Sequence, residues 1–201
     1  YILNPNKNLY LLIIFISSLS ILWNLDSGIV CFLSFYIYIL YEKLIGANLK
    51  GFIKDFTEHT IISLAILGFT FFLFSILIYF QSNNFPDWGL FTKYTALFGQ
   101  SYYFSLPLPL FNSWNLIFLV YIYGIYIGLN SLLIGKKDTL DKVTFFVAIF
   151  GIGIANYYMN RSHDSNLIQV LYPSFILMAI FLTKILDRNN RSSLFAIKNF
   201  S

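Results

Sequence analysis

Long apolar runs alternate with short polar segments along the whole chain. Six runs have the length of membrane-spanning helices, at about 9–25, 29–45, 61–80, 114–134, 143–158 and 167–185. A helix needs about 20 apolar residues to cross a bilayer, and the run 61–80 contains no charged residue. The pattern therefore predicts an all-α polytopic membrane protein whose residues 1–201 form a single transmembrane domain.

Two segments between the predicted spans have a different pattern. In 46–60, Leu49, Ile53 and Phe56 recur at helical spacing among charged residues, which predicts an amphipathic helix at the membrane interface. His59, at its end, is predicted to be an interfacial histidine without a special role. The loop 81–113 is predicted to hold a surface helix near 87–100, followed by an apolar extended segment in which two prolines prevent a helix.

Glycine pairs within two predicted spans indicate close helix packing. Gly124 and Gly128 form a GxxxG pair in the fourth span. Small residues at this spacing let two membrane helices approach closely. Gly151 and Gly153, in the fifth span, predict either close packing or a bend.

Composition excludes several classes of protein. Only 11% of the residues are charged and 58% are hydrophobic, whereas a soluble domain carries about 25% charged residues. The net charge of +4 does not indicate nucleic-acid binding, because the basic residues lie in loops that flank the predicted spans. The single Cys31 cannot form an internal disulfide. Because the chain begins at Tyr1 and not at Met, we expect it to be a piece of a longer protein.

Basic residues are distributed unevenly between the two sides of the predicted membrane domain. Of the 13 Lys and Arg residues, only Lys93 and Arg161 fall on the side opposite the termini. Cytoplasmic loops are enriched in Lys and Arg. The sequence therefore predicts that both termini are cytoplasmic, in a plasma membrane of bacterial inner-membrane type, and that the loops after the first, third and fifth spans face outside.

The predicted outer loops contain the densest polar cluster of the chain, at 156–166. It holds Arg161, His163 and Asp164 within four residues of one another at the end of an apolar run. Arg161 could bind a phosphate with two hydrogen bonds, and His163 could bind a phosphate oxygen or exchange a proton. Asp164 could position His163, hold a divalent metal or pair with Arg161. Ionisable residues beside the membrane indicate function by default.

Structural roles also account for these polar residues. Arg161 could reach lipid headgroups, and Asp164 could cap the following helix. Asp26 and Asp87, which could each supply a general base from another outer loop, are also typical turn residues. The sequence contains no HxxxH or CxxC metal-ligand spacing, no P-loop, no nucleophile elbow and no dinucleotide fingerprint.

One short motif resembles a known group of enzymes. The run Tyr157-Tyr-Met-Asn-Arg-Ser-His-Asp-Ser-Asn-Leu, followed by Tyr172-Pro173, resembles GT-C-type membrane glycosyltransferases. The segments Leu106-Pro-Leu-Pro109 and Trp114-Asn115 are similar to that group as well. The resemblance covers roughly 85–185, about half of the chain. Enzymes of this type take sugars from polyprenyl-phosphate donors at the outer face of the membrane, and they usually have more spans and often a soluble outer domain.

The resemblance implies roles for particular residues. The donor phosphate would be bound by Arg161 and His163. Four neighbouring residues would also contact the substrate: Tyr157, Tyr158, Asn160 and Asp164. An acidic residue of the first outer loop serves as catalytic base in this class. That position corresponds to Asp26, and Asp87 is the second candidate base.

Two other functions fit the same sequence. One is a non-catalytic integral subunit of a membrane complex, with aromatic side chains facing partner proteins. The other is a transporter or flippase of an anionic or lipid-linked substrate, which buried charges in the middle of spans would favour. Across these functions the expected partners are membrane lipids, a lipid-linked sugar donor and other membrane proteins, and no nucleic acid. The sequence implies no definite cofactor, and a divalent metal is compatible with Asp164.

Overall fold

A computed structural model describes residues 6–45, 47–93, 108–135, 138–159, 162 and 164–198. For residues 164 and 187–198 it describes the backbone alone. This part of the chain forms α1 (Lys7–Trp23), α2 (Leu25–Leu44), α3 (Leu49–Ser82), α4 (88–93), α5 (Trp114–Ile134), α6 (Thr139–Met159) and α7 (Asp164–Lys198). Helices α2, α3, α5, α6 and the Ser165–Leu186 part of α7 are long and apolar enough to span a membrane, and α1 is a shorter apolar helix. The predicted all-α polytopic membrane architecture is confirmed.

A single residue, Asn24, separates α1 from α2. Its backbone N–H donates to the carbonyl of Ser20 at 3.0 Å, and its side chain accepts from the N–H of Ser27 at 3.2 Å. Asn24 therefore ends one helix and caps the next. A Cβ on Gly28 would overlap the Ser20 carbonyl, so only glycine allows the two helices to cross this closely. The result is a tight helical hairpin.

Helix α3 is longer than the sequence pattern predicted. It runs unbroken for 34 residues, so residues 49–60 of the predicted interfacial segment 46–60 are helical and continuous with the third span. At about 1.5 Å per residue its length is about 51 Å, against a hydrocarbon core of about 30 Å. A change from polar to apolar residues does not break a helix when no proline interrupts its hydrogen bonds. Helix α3 therefore extends beyond the membrane core.

Helix α6 begins earlier than predicted, within the segment 135–142 that the sequence assigned to a basic loop. The side chain of Asp138 accepts from the N–H of Leu140 at 2.9 Å. Asp at this position favours the start of a helix. Consequently Asp141 and Lys142 lie in the first turn of α6 and not in a loop.

Small residues allow α5 and α6 to pack closely. A Cβ on Gly128 would lie 2.6 Å from Cβ of Phe145, and a Cβ on Gly124 would lie 2.8 Å from Cβ of Ala148. The close helix contact predicted from the GxxxG pair is confirmed. An apolar cluster of α5, α6 and α7 surrounds this contact, and Tyr121 at its centre is fully buried.

Neighbouring helices run antiparallel, which gives the bundle two distinct ends. The turn end contains Asn24, the start of α5, the end of α6 and the start of α7. The ion-pair end contains the end of α2 and the start of α6, where Lys142 contacts Glu42 at 2.7 Å, and it also contains Lys184 of α7, which pairs with Asp141.

Candidate functional site

Asp26, the first candidate base, lies at the turn end in the first turn of α2 and is exposed. One turn further along α2, Val30 packs against Gly153 of α6. A Cβ on Gly153 would lie 3.4 Å from Cβ of Val30. The start of α2 is therefore held against the last turns of α6, which lead into the polar segment 156–166.

Asp87, the second candidate base, begins helix α4. Its side chain accepts from the N–H of Leu90 at 2.9 Å, and its carbonyl accepts from the N–H of Phe91 at 3.0 Å. The next residue, Trp88, packs against Phe71 of α3 with ring centroids 4.9 Å apart. Asp87 thus has the geometry of a helix N-cap, on the side of the molecule where α4 contacts α3.

The N-cap geometry gives a direct test of Asp87. Asparagine and aspartate cap helices about equally well, whereas alanine lowers stability by about 1 kcal/mol. We expect Asp87→Asn to keep the melting temperature of the purified protein, and Asp87→Ala to lower it. If Asp87 instead serves as a catalytic base, Asp87→Asn will abolish sugar transfer while leaving the melting temperature unchanged. Measuring both quantities on the two variants separates the roles.

Three residues of the polar segment 156–166 lie outside the described residues. This applies to Asn160, Arg161 and His163, and of Asp164 the structure describes only the backbone, which begins α7. Within the turn, the hydroxyl of Ser162 donates to the carbonyl of Tyr158 at 3.3 Å. The structure therefore shows that α6 ends and α7 begins at the turn end of the bundle, beside the start of α2.

The two tyrosines that precede the turn have different environments. Tyr157 is half-buried. Tyr158 is fully buried in the apolar cluster, among Ala155, Leu167 and Val170. Its ring packs between α6 and α7 and not on the surface, and the substrate contact predicted for Tyr158 stays a prediction. A tyrosine pair next to a polar turn looks accessible in sequence, but adjacent residues of a helix point in different directions.

His59 is not the interfacial histidine that the sequence predicted. It is 1% exposed and lies among α1, α2 and α3. The hydroxyl of Tyr10 lies 2.6 Å from its Nδ1, and the carbonyl of Tyr36 lies 3.3 Å from its Nε2. The Tyr36 ring also stacks on the imidazole at a centroid distance of 4.7 Å. The continuity of α3 explains the difference, because it turns residue 59 toward the α1–α2 hairpin.

Because the carbonyl of Tyr36 can only accept, Nε2 of His59 carries a proton and donates to it. Its Nδ1 then accepts from the Tyr10 hydroxyl, and the hydroxyl of Ser63 lies 3.5 Å from the same nitrogen. Buried polar groups require such partners. These contacts join the first three helices through the His59 imidazole.

The ion-pair end holds a charged layer that sequence reasoning missed. Lys142 of α6 contacts Glu42 of α2 at 2.7 Å, and Lys184 of α7 pairs with Asp141 of α6. Beside them, the hydroxyl of Tyr41 donates to the carbonyl of Gly128 at 3.0 Å. The layer thus joins α2, α5, α6 and α7. The sequence signal for this layer was Asp138-Thr139, a pair typical of the start of a helix. It would have placed Asp141 and Lys142 inside α6.

Among the described residues, no three His, Cys, Asp or Glu side chains come together as ligands for a metal ion. Comparison of the chain with protein-family models, with curated proteins and with solved structures finds no match.

Proposed function

We propose that this chain is the membrane portion of a glycosyltransferase that uses a sugar donor linked to a polyprenyl phosphate. One observation supports the proposal above all: the contact between Val30 and Gly153. It holds the start of α2, with the exposed Asp26, beside the end of α6. The turn that contains Arg161 and His163 follows directly in the chain. A carboxylate thus lies at the end of the bundle where α6 ends and α7 begins, and the two side chains proposed to bind the phosphate lie between those helices in the sequence.

We further propose that the turn end faces the outside of a bacterial inner membrane and that both termini are cytoplasmic. The distribution of basic residues supports this orientation, since eleven of the 13 fall in segments on the side of the termini. Three of these, Lys43, Lys142 and Lys184, make ion pairs at the ion-pair end. In this orientation the site faces lipid-linked donors presented at the outer leaflet.

The proposed reaction transfers the sugar from the donor phosphate to an acceptor hydroxyl. The bond between the anomeric carbon and the phosphate oxygen breaks, and a bond from that carbon to the acceptor oxygen forms. Asp26 accepts the acceptor proton. Negative charge grows on the leaving phosphate, where Arg161 and His163 stabilise it. Fixed cations in a site with little water stabilise such charge more than bulk water does.

Binding of the lipid phosphate tests the phosphate-binding role directly. The probe is radiolabelled undecaprenyl phosphate, titrated against the chain in nanodiscs of neutral lipid. We expect Arg161→Ala to weaken binding about tenfold or more, because a hydrogen bond to a charged group contributes about 1.5–3 kcal/mol. Undecaprenol, which has the same tail without the phosphate, should bind both proteins equally and weakly.

The matched control is Lys54→Ala, which removes an exposed cation near the start of α3. Its affinity for undecaprenyl phosphate should equal that of the unmodified chain. Equal binding by Arg161→Ala and the unmodified chain would rule out the proposed role of Arg161. If Arg161→Ala instead leaves lipid binding intact and releases partner proteins from the purified complex, the non-catalytic subunit is the better description.

The transporter alternative gains no support from the described ion pairs. A coupling or transport site would place charges in the middle of spans. The pairs Glu42–Lys142 and Asp141–Lys184 instead lie toward the ends of the apolar spans, in one layer.

A further inference from the structure

The molecule consists of two halves that meet mainly along one pair of helices. In the first half, α1, α2 and α3 pack on one another, and in the second half, α5, α6 and α7 do so. Contact between the halves runs chiefly through α2 and α6. Unlike the helices of each hairpin, α2 and α6 are far apart in sequence. Their relative position along the bundle axis must therefore be set by side-chain contacts.

Aromatic packing makes up much of the contact between α2 and α6. Tyr38 meets Phe146 edge-on at a centroid distance of 5.6 Å, and Tyr41 stacks on Phe145 at 4.1 Å. Apolar contact is non-directional. A shift of α2 by one helical turn, about 5.4 Å, would still place apolar rings against apolar surface. These contacts hold the helices together but select their register only weakly.

The pair Glu42–Lys142 is different because each charge requires the one opposite charge that faces it on the other helix. The carboxylate and ammonium are 2.7 Å apart, and their side chains are only 17% and 18% exposed. A shift of one turn would separate both charges inside the bundle. One turn before Glu42, the inner face of α2 presents Tyr38, and one turn after it presents Ile45, which is also buried. Neither can replace the carboxylate as a partner for Lys142.

We infer that the Glu42–Lys142 pair sets the register of α2 against α6, and so positions the start of α2 beside the α6–α7 turn. Ion pairs and single polar groups are best attested as devices that select register. Glu42 and Lys142 are thus positioning residues. The register itself does not depend on the proposed function, whereas its consequence for catalysis by Asp26 rests on that function.

The opposite end of the contact agrees with this register. Along α2, Val30 lies about 18 Å from Glu42, and along α6, Gly153 lies about 16 Å from Lys142, at about 1.5 Å per residue. The ion pair and the Val30–Gly153 contact are therefore satisfied together in one arrangement of antiparallel helices. A shift at one end would disrupt the contact at the other.

Disulfide trapping measures this register. A Cβ on Gly153 would lie 3.4 Å from Cβ of Val30, close to the range of about 3.5–4.5 Å found in disulfides. In a Cys31→Ser background, the pair Val30→Cys with Gly153→Cys should oxidise readily in membranes. Pairing Val30→Cys with Ile149→Cys or Tyr157→Cys reports a shift of one turn in either direction. Labelling of free thiols with a maleimide polymer, read on a gel, gives the extent of oxidation.

Charge variants then test the ion pair. Glu42→Lys places two ammonium groups together and should abolish the disulfide between positions 30 and 153. The exchange of both charges, Glu42→Lys with Lys142→Glu, should restore this disulfide. The matched control is Lys43→Glu, the neighbouring residue, which pairs with Asp55 of α3 at 3.9 Å. It should leave the disulfide unchanged. Because the exchange variant keeps both charges, its recovery excludes simple misfolding as the cause of loss.

Two outcomes would overturn the inference. One is equal disulfide formation at 153 in the unmodified, Glu42→Lys and exchange backgrounds. The other is failure of the Val30→Cys and Gly153→Cys pair to oxidise when the native charges are present. Failure of the proposed function would look different. Arg161→Ala would then have no effect on undecaprenyl phosphate binding, while the disulfide pattern would stay intact.

Discussion

Replacing Lys184 with methionine should destabilise the protein by about 3 kcal/mol, near the lower end of the range of about 3–5 kcal/mol for breaking a buried ion pair. The substitution leaves the carboxylate of Asp141 without its partner on α7, and the side chain of Asp141 is only 8% exposed. The lower end applies because the Lys184 side chain is itself 27% exposed, so part of its charge is already solvated in the folded state.

A double-mutant cycle measures this effect. The free energy of unfolding in detergent is determined for Lys184→Met, Asp141→Leu and the two together. We expect the double variant to be more stable than either single variant, since replacing a whole buried pair with apolar residues is often neutral or favourable. Lys54→Met, at an exposed position, is the control and should change little. Additive single effects would show that the two side chains do not interact.

Replacing Gly151 with leucine should strongly disturb the packing of the apolar interior. A Cβ at this position would lie 2.6 Å from Cζ of Tyr121, a side chain that is fully buried. The ring cannot move aside easily, because its hydroxyl donates to the carbonyl of Val170 on α7. Overpacking of this kind costs typically about 1–3 kcal/mol and sometimes more, and here it disturbs α5, α6 and α7 together.

Gly68 of α3 provides the matched control. Nothing lies within 4 Å of a Cβ at that position, so Gly68→Leu should leave the melting temperature in detergent nearly unchanged, whereas Gly151→Leu should lower it or prevent folding. Gly151→Ala is the milder variant that keeps the comparison informative if the leucine variant cannot be purified. Equal tolerance of leucine at both positions would show that the Tyr121 ring does not fill the space beside Gly151.

Sequence reasoning placed the apolar helices well because membrane insertion depends on local composition. A run such as 61–80 must satisfy its backbone hydrogen bonds within itself in lipid, so its apolar length alone predicts a helix. The GxxxG pair of α5 was readable for a related reason, since glycine leaves room for a neighbouring helix wherever it occurs on a packed face. These inferences require no knowledge of which helix is the neighbour.

The roles of individual polar residues were harder to predict, because they depend on that neighbour. The sequence predicts that His59 is interfacial. In the structure α3 continues unbroken, and His59 lies in the space between α1 and α2. Tyr158 reads as part of an accessible polar turn, yet its ring packs against α7. The sequence also allowed a turn role for Asp87, and in the structure this residue is the N-cap of α4.

By itself, the sequence determined the all-α membrane architecture, and its uneven basic residues give the prediction for orientation. Both follow from the energy of placing each residue type in lipid or water. The tertiary structure alone decided that Asp141 and Lys142 join α6 to α7 and to α2, and that the start of α2 lies beside the end of α6. The two ion pairs join residues 100 and 43 positions apart. No local pattern encodes such contacts, because they form only when separate helices pack together.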